Sequence, residues 1–411
     1  MLHLYNILIR LSLFILKIAG VFVEKLGKRN EGLRNQEVPF LETCIWVHAA
    51  SLGEFEQGKT VIESLKRTYS DIPMVLTFFS SSGFEKMKNY DGADYVFYMP
   101  YDSNILMSKF ILRIKPQVVV FIKYEFWFNT LYLLKKNTIP YYFISSVFRR
   151  SQFFMKGLFS SFFTLIRGAS WIFVQDQRSQ EILHSKSVYN MSISGDSRID
   201  RVIELANNSY ENKLISDFSG DFFTIIVGSS WPPDEEIIVK AIQAFPEWKW
   251  IIAPHEVHKD HIISIQDRIG RDNVILYSEI DTHVSPSPKI LLVDRIGLLS
   301  RIYRYGNLAY IGGGFGTGIH NTLEPVAYGL PVIFGPKYHK FNEAVNFIES
   351  GIGKSVANAD QLIEALQYFA KEDINGQVKN KIKIYLESNS GATDSIVSKI
   401  KRDLEYSNGK R

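Results

Sequence analysis

The sequence predicts an α/β fold built from two doubly wound parallel sheets. From Thr43 onward, short β-branched and aromatic runs alternate with helical segments. Each run is continuously apolar, the mark of a strand buried on both faces. The runs fall into two series separated by a polar stretch, 200–220, that contains Asn207-Asn208-Ser209. A chain of 411 residues, 46% hydrophobic and 22% charged, can bury two cores of ordinary size. The single cysteine, Cys44, excludes an intramolecular disulfide and a cysteine-built metal cluster, and suits a reducing compartment. The net charge of +4 comes without a long basic run and gives no case for nucleic acid.

The first element is apolar. Leu2 to Val23 is long enough to span a bilayer, yet His3, Arg10, Lys17 and Glu24 recur every seven residues and share one helical stripe. That stripe predicts a helix lying in the membrane interface, with Leu8, Phe14, Ile15, Ile18 and Phe22 toward lipid and Lys25, Lys28, Arg29 and Arg34 toward anionic headgroups. A single span, or a first helix packed on its own domain, is the alternative.

The predicted strands of the first series are Cys44 to Ala49, Met74 to Phe79, Tyr95 to Tyr98, Val118 to Ile122, Tyr141 to Ile144 and Ile172 to Val174. Those of the second are Phe222 to Val227, Trp250 to Ile252, Val274 to Leu276, Ile290 to Val293, Leu308 to Ile311 and Val332 to Phe334. The expected division is a membrane-associated helix with its basic flank (1–34), a first domain (35–205), a linker (206–220), a second domain (221–385) and a terminal helical segment (386–411).

In doubly wound sheets ligands bind beyond the carboxyl ends of the strands, so the residues that follow strands carry the functional information. After the first strand stands His48-Ala49-Ala50-Ser51-Leu52-Gly53-Glu54, where Glu54 is either a partner for the helix dipole or a general base. After the fourth comes Lys123-Tyr124-Glu125-Phe126-Trp127-Phe128-Asn129, whose aromatics suit either core packing or stacking on a sugar. Gly195-Asp196-Ser197-Arg198 offers Arg198 either to an anion or to a surface ion pair. An unusually aromatic segment with Phe153, Phe154, Phe159, Phe162 and Phe163 is either a core helix or a second interfacial one.

The second series opens on Gly228-Ser229-Ser230-Trp231 and continues to Pro254-His255-Glu256-Val257-His258. His255 and His258 lack a third well-placed ligand, and no metal is assigned to them. The richest stretch is Gly312 to Pro336, GGGFGTGIHNTLEPVAYGLPVIFGP, with five glycines in the seven positions 312–318. It predicts an anion cradle: glycines let the backbone approach a phosphate, and a helix starting near Asn321 adds its amides and dipole. Glu324, one turn on, suits the hydroxyls of a ribose, so the expected ligand is a nucleotide.

Taken in order, HAASLGEFEQGK, KYEFWFN, GDSRIDR, GSSWPPDEE, IAPHEVH, DRIGLLSRIY and the glycine-rich stretch resemble the bacterial 3-deoxy-D-manno-octulosonic acid (Kdo) transferases over nearly the whole chain. The resemblance implies a GT-B architecture, two Rossmann-like domains facing across a cleft. It implies CMP-Kdo as donor, a lipid A precursor as acceptor, and an inverting transfer without metal or cofactor at the cytoplasmic face of the inner membrane. It gives Glu54 the role of general base and assigns Glu125 and Arg198 to transition-state stabilisation. Ser51, Gly53 and Trp127 fall on the acceptor side. Ser229, Ser230, Pro254, His255, Ile296, Gly297, Leu298, Gly313, Gly314, His320, Asn321, Thr322, Leu323 and Glu324 fall on the CMP side. Two departures stand out. The family's Pro-Arg-His is here Pro254-His255-Glu256, and the first Glu of its Glu-Thr-Glu-Leu-Trp-Pro-Asn is here Lys123. Another GT-B glycosyltransferase using a UDP- or GDP-sugar, and a non-catalytic membrane-associated sugar-binding protein, are the alternative functions.

Overall fold

The computed structural model describes residues 5–7, 9, 23–152, 155, 160–282 and 288–408. They form two compact units, one of residues 1–200 with 389–411, the other of residues 201–388.

The first unit is built on a seven-stranded parallel sheet of β1 (Cys44–Ala49), β2 (Met74–Phe78), β3 (Tyr95–Tyr98), β4 (Pro116–Ile122), β5 (Tyr141–Ser146), β6 (Trp171–Val174) and β7 (Met191–Ile193). Its order is β3-β2-β1-β4-β5-β6-β7. Alternate residues of β1 feed two different cores: Cys44 and Trp46 join one, Ile45, Val47 and Ala49 the other. Both faces are therefore covered, which is why the strand is apolar at every position.

The second unit repeats the plan with β8 (Thr224–Ser230), β9 (Lys249–Pro254), β10 (Val274–Leu276), β11 (Ile290–Leu292), β12 (Leu308–Ile311), β13 (Val332–Phe334) and β14 (Gly353–Ser355). The order is β10-β11-β9-β8-β12-β13-β14, again parallel throughout. In the first sheet the winding reverses between the neighbours β1 and β4; in the second, β10 lies outside β11, and β8 and β12 are the neighbours whose following connections run in opposite directions. The loops after those strands open into the crevice such a reversal creates.

The edge strands β7 and β14 carry no sequence prediction. Each has three residues, Met191-Ser192-Ile193 and Gly353-Lys354-Ser355, and an edge strand of that composition has little apolar signal. The polar stretch 206–220 includes the helix Lys213–Ser219, which buries Ile215 and Phe218 within the second unit. The helix Ala392–Asn408 packs in the first unit, where Ile396, Ile400 and Leu404 are buried. Its start is fixed by Asp200, which accepts the amides of Gly391 (2.7 Å) and Thr393 (2.6 Å).

Most of the expected interfacial helix, including Leu8, Phe14, Ile15, Ile18 and Phe22, lies outside the described residues. Tyr5 is within them and docks on the first unit: its hydroxyl donates to Asp102 at 2.7 Å and its ring packs 5.1 Å from that of Phe128. Among the described residues no helix is long and apolar enough to cross a membrane. One expected lipid contact is corrected. Arg29, on the helix Glu24–Asn35, is 2% exposed, donates to the carbonyls of Phe79 and Met99, and lies between the rings of Phe79 and Tyr101. A guanidinium so enclosed holds the ends of β2 and β3 and meets no headgroup. Of the aromatic segment, Phe163 is buried core, while Phe153, Phe154 and Phe159 lie outside the described residues, as does the side chain of Phe162.

Candidate active site

In the first unit, the loops after β1 and β4 flank the reversal of strand order. Ser51, extended at φ −142°, precedes the helix Leu52–Thr68, and its amide donates to Oε2 of Glu54 at 3.0 Å. This is half of a capping box, so the dipole-partner account of Glu54 is structurally real. The carboxyl is nonetheless half-buried and held above the usual carboxylate range. Burial is the main cause and the charge of Glu125 the second, against the opposing pull of Lys123, His48 and the Ser51 amide. A carboxyl of raised basicity at the rim of a strand-end crevice is suited to accepting a proton. Gly53 is exposed, and a Cβ there would touch nothing.

β4 ends in a sharp bend at Lys123 (φ 67°), which turns Glu125 back toward β1. Oε2 of Glu125 accepts the indole N–H of Trp127 at 2.7 Å and lies 3.3 Å from Nε2 of His48. Trp127 stacks on Phe79 with ring centroids 4.9 Å apart, so the aromatics after β4 form a wall beside the carboxylate. Arg198 is half-buried in the same unit, with its guanidinium forked onto Asp196 at 2.6 to 3.1 Å. Its neighbour Ser197 is buried against the carbonyl of Gln57 and 3.1 Å from Ser145, which ties this loop to the Glu54 helix and to β5.

In the second unit the expected donor residues follow β8, β9, β11 and β12. The glycine-rich loop corrects one expectation. The Gly313 amide is not turned toward a ligand phosphate: it donates to the protein's own buried carboxylate, that of Asp234, at 2.9 Å. Asp234 also accepts the Trp231 amide (2.9 Å) and the Tyr310 hydroxyl (2.8 Å). The Gly312 amide bonds Gly228 O at 2.9 Å, and those of Gly316 and Gly318 fold back on Gly313 O. Two of the glycines are required by packing. A Cβ on Gly312 would overlap the Ser229 carbonyl, and one on Gly314 would stand 2.6 Å from the backbone of Gly335. The loop is thus a close crossing of backbones from β8, β12 and β13. The helix that follows is a single turn, Leu323–Ala327, with a correspondingly short dipole. Asn321 does cap it, accepting the Leu323 amide and donating to Glu324, both at 3.0 Å. Thr322 is buried beside them.

Across the reversal point of this sheet lies a stack of three rings from three loops. Trp231 and His255 are 4.6 Å apart, His255 and His320 4.4 Å, all nearly parallel. The indole N–H of Trp231 donates to Nε2 of His320 at 2.9 Å, so a neutral His320 carries its proton on Nδ1. Burial and the neighbouring His255 favour that neutral ring, pulling the His320 pKa down against Asp234. Ser230 is fully buried and donates to Glu235, and its carbonyl accepts the His255 amide. Ser229 sits at φ 54° where β8 bulges, and Pro254 is the buried end of β9. Ile296 is 85% exposed on the turn Ile296-Gly297-Leu298 after β11, with Gly297 at φ 88°. Residue types read the segment of Trp231 and Asp234 only as a possible phosphate or hydroxyl contact and do not single out His48. The aromatic type at Trp231 and the strand-end position of His48 were the available signals.

Glu256, His258 and His261 bring one ligand atom each within 4.8 Å. Their hydrogen bonding does not suit a metal. His258 Nδ1 accepts the His261 amide at 3.2 Å, which leaves the proton on Nε2, 3.1 Å from Glu256. His261 is engaged at both nitrogens, with Glu256 O and with Glu235.

Residues 22–201 match the family model described as 3-Deoxy-D-manno-octulosonic-acid transferase (kdotransferase). The 3-deoxy-D-manno-octulosonic acid transferase of Aquifex aeolicus (strain VF5) is 28% identical over 353 residues, 83% of this chain and 91% of that protein. Among solved structures, UDP-GlcNAc 2-epimerase from Neisseria meningitidis bound to UDP-GlcNAc aligns with a TM-score of 0.61 at 15% identity, over 88% of this chain and 100% of the other. A glycosyltransferase from Rickettsia africae ESF-5 aligns with a TM-score of 0.55 at 13% identity, over 90% and 99%. At such identities the structural likenesses show the fold alone, two Rossmann-like domains of the GT-B type. The sequence match is more specific, because the matched residues include the loops that carry Glu54, Glu125 and Arg198, and over that first half the chain is similar to the 3-deoxy-D-manno-octulosonic acid transferases.

Proposed function

We propose that this glycosyltransferase moves Kdo from CMP-Kdo to a sugar hydroxyl of a lipid A precursor, with inversion and without a metal. The observation that carries the reading is Glu54: a half-buried carboxyl of raised basicity, beside a second carboxylate, at the reversal point of the first sheet.

In this reading the chemistry divides between the units. Glu54 takes the proton of the acceptor hydroxyl as its oxygen bonds to the anomeric carbon, and the bond from that carbon to the CMP phosphate breaks, the phosphate leaving with the electron pair. A positioned base of this kind contributes roughly a hundredfold or more in rate. Glu125 and Arg198 act on the oxocarbenium-like sugar and on the charge of the departing phosphate, an electrostatic role that counts most in the transition state. On the donor side Asn321 to Glu324, the Ile296 turn and Pro254-His255 supply the nucleotide contacts. The Trp231, His255 and His320 stack adds an N–H donor, Nδ1 of the neutral His320.

An acylated acceptor stays in its bilayer, so the proposed site of action is the cytoplasmic face of the inner membrane, with residues 1–34 as the anchor. Release of the full chain by alkaline carbonate would count against a span, and a fully soluble chain against any anchor.

The deciding experiment incubates the chain with CMP-Kdo and tetraacyl lipid A precursor, with and without EDTA, and reads product mass. A mass increase of one or more Kdo units, unchanged by EDTA, is expected. A strict divalent requirement would overturn the metal-free mechanism. Stabilisation by UDP or GDP and not CMP would move the chain to a different donor, and CMP binding without consumption of CMP-Kdo would favour a non-catalytic sugar-binding protein.

A further inference from the structure

We propose that His48 is a positioning residue of the acceptor site, holding a hydrogen-bonded proton against Oε2 of Glu125 and so fixing which oxygen of that carboxylate faces substrate. The inference rests on the transferase reading only for its kinetic consequence; the proton's placement stands on geometry.

His48 is the fifth residue of β1 and is fully buried, an unusual setting for an imidazole that does nothing. Its Nδ1 lies 2.9 Å from the Thr77 hydroxyl and 3.1 Å from the Thr77 carbonyl on the neighbouring β2. Its Nε2 lies 3.3 Å from Oε2 of Glu125. A nitrogen and a carboxylate oxygen at that distance, out of water, need a proton between them, since two lone pairs facing each other repel. Each hydrogen-bonding arrangement supplies one. With the Thr77 hydroxyl donating to Nδ1, the neutral ring carries its proton on Nε2. With Nδ1 donating to the Thr77 carbonyl, the same donation to Oε2 places a second ring proton on Nε2.

The rest of the chain is built to hold this link. Trp46, also buried in β1, donates its indole N–H to the Thr77 hydroxyl at 2.8 Å and so orients it. Trp127 donates to the same Oε2 at 2.7 Å. The two donors converge on one oxygen, which fixes the rotamer of a side chain that remains 11% exposed. Glu125 therefore presents Oε1 outward, with its charge partly compensated from behind. That leaves Glu54, whose basicity is raised, as the carboxylate free to take the acceptor's proton.

Two measurements test this. The first needs no activity. In the full chain with 15N-labelled histidine, a slowly exchanging ring proton is expected on the His48 link, bound to Nε2 and abolished in Glu125→Ala. A wild-type His48 whose Nε2 is unprotonated and insensitive to Glu125→Ala would overturn the proposal. The second compares His48→Gln, whose side-chain amide can still donate to Glu125, with His48→Ala. The alanine variant is expected to lose about tenfold or more in kcat with the donor KM unchanged, a typical loss for a misplaced site group. The glutamine variant should recover most of it. Equal activity in the two variants, at melting temperatures within a few degrees of wild type, would make His48 a packing residue. Should wild type transfer no Kdo, the function reading fails, while the spectrum still decides where the proton sits.

Discussion

The carboxylate of Asp234 accepts the amide proton of Gly313 at 2.9 Å, so the glycine-rich loop is tied from within by a buried acid before any ligand arrives. The same carboxylate collects the Trp231 amide and the Tyr310 hydroxyl, joining the loops after β8 and β12. Asp234→Ala strands three donors. Each buried donor left unpaired costs roughly 1–3 kcal/mol, so the variant should melt well below wild type and lose CMP binding. Calorimetry with and without CMP checks this, and a wild-type melting curve would contradict it.

The glycines of that loop should differ sharply in tolerance. Gly312 and Gly314 are fixed by backbone from neighbouring loops, whereas a Cβ on Gly316 would meet only Gly313 O at an ordinary 3.5 Å. Gly312→Ala and Gly314→Ala are expected to destabilise the fold by about 1–3 kcal/mol, the usual cost of overpacking. Gly316→Ala should melt near wild type. Urea denaturation of the three variants side by side gives the comparison.

Lys123 stands where the family carries a carboxylate, and its charge opposes the forces that raise the Glu54 pKa. In Lys123→Met that opposition is gone, and the Glu54 pKa rises further. A base works only when deprotonated, so the acid limb of the kcat/KM profile should move to higher pH. Lys123→Arg should leave it in place. A profile in Lys123→Met unmoved, or displaced to lower pH, would show that the limb belongs to another group.

The raised Glu54 carboxyl also predicts a stability change. A carboxyl whose folded-state pKa lies above its unfolded value contributes stability that is present below the unfolded pKa and lost as pH rises through the folded one. At pH 8 the ionised Glu54 therefore weighs against the fold, and neutral Glu54→Gln should melt at or above wild type there. Below the ordinary carboxylate range, where both forms are neutral, the advantage should vanish. Melting curves at the two pH values decide it; a variant less stable at pH 8 would mean that the Ser51 cap outweighs burial.

How much was legible in the sequence follows from what each signal measures. Continuous apolar runs report strands buried on both faces, and they located the central strands of both sheets. They are silent at β7 and β14, where a three-residue edge offers little to bury. Residue type and spacing placed Glu54 and Glu125 after strands, and the sheet order put them on either side of the same reversal point. The glycine run read as an anion cradle, but the Gly313 amide turns inward because Asp234, some 80 residues away in sequence, lies beneath it. Long-range partners of that kind leave no local pattern. Arg29 misled for the same reason: its basic neighbours suggest a membrane flank, while the carbonyls and rings that enclose it come from the loops after β2 and β3.

The proposed transfer turns on Glu54 as the group that deprotonates the acceptor. The direct measurement is the rate of Kdo transfer from CMP-Kdo to tetraacyl lipid A precursor by Glu54→Gln against wild type, with CMP affinity measured on both. A loss of about a hundredfold or more at unchanged CMP affinity is the predicted result. A rate within a few-fold of wild type would contradict it.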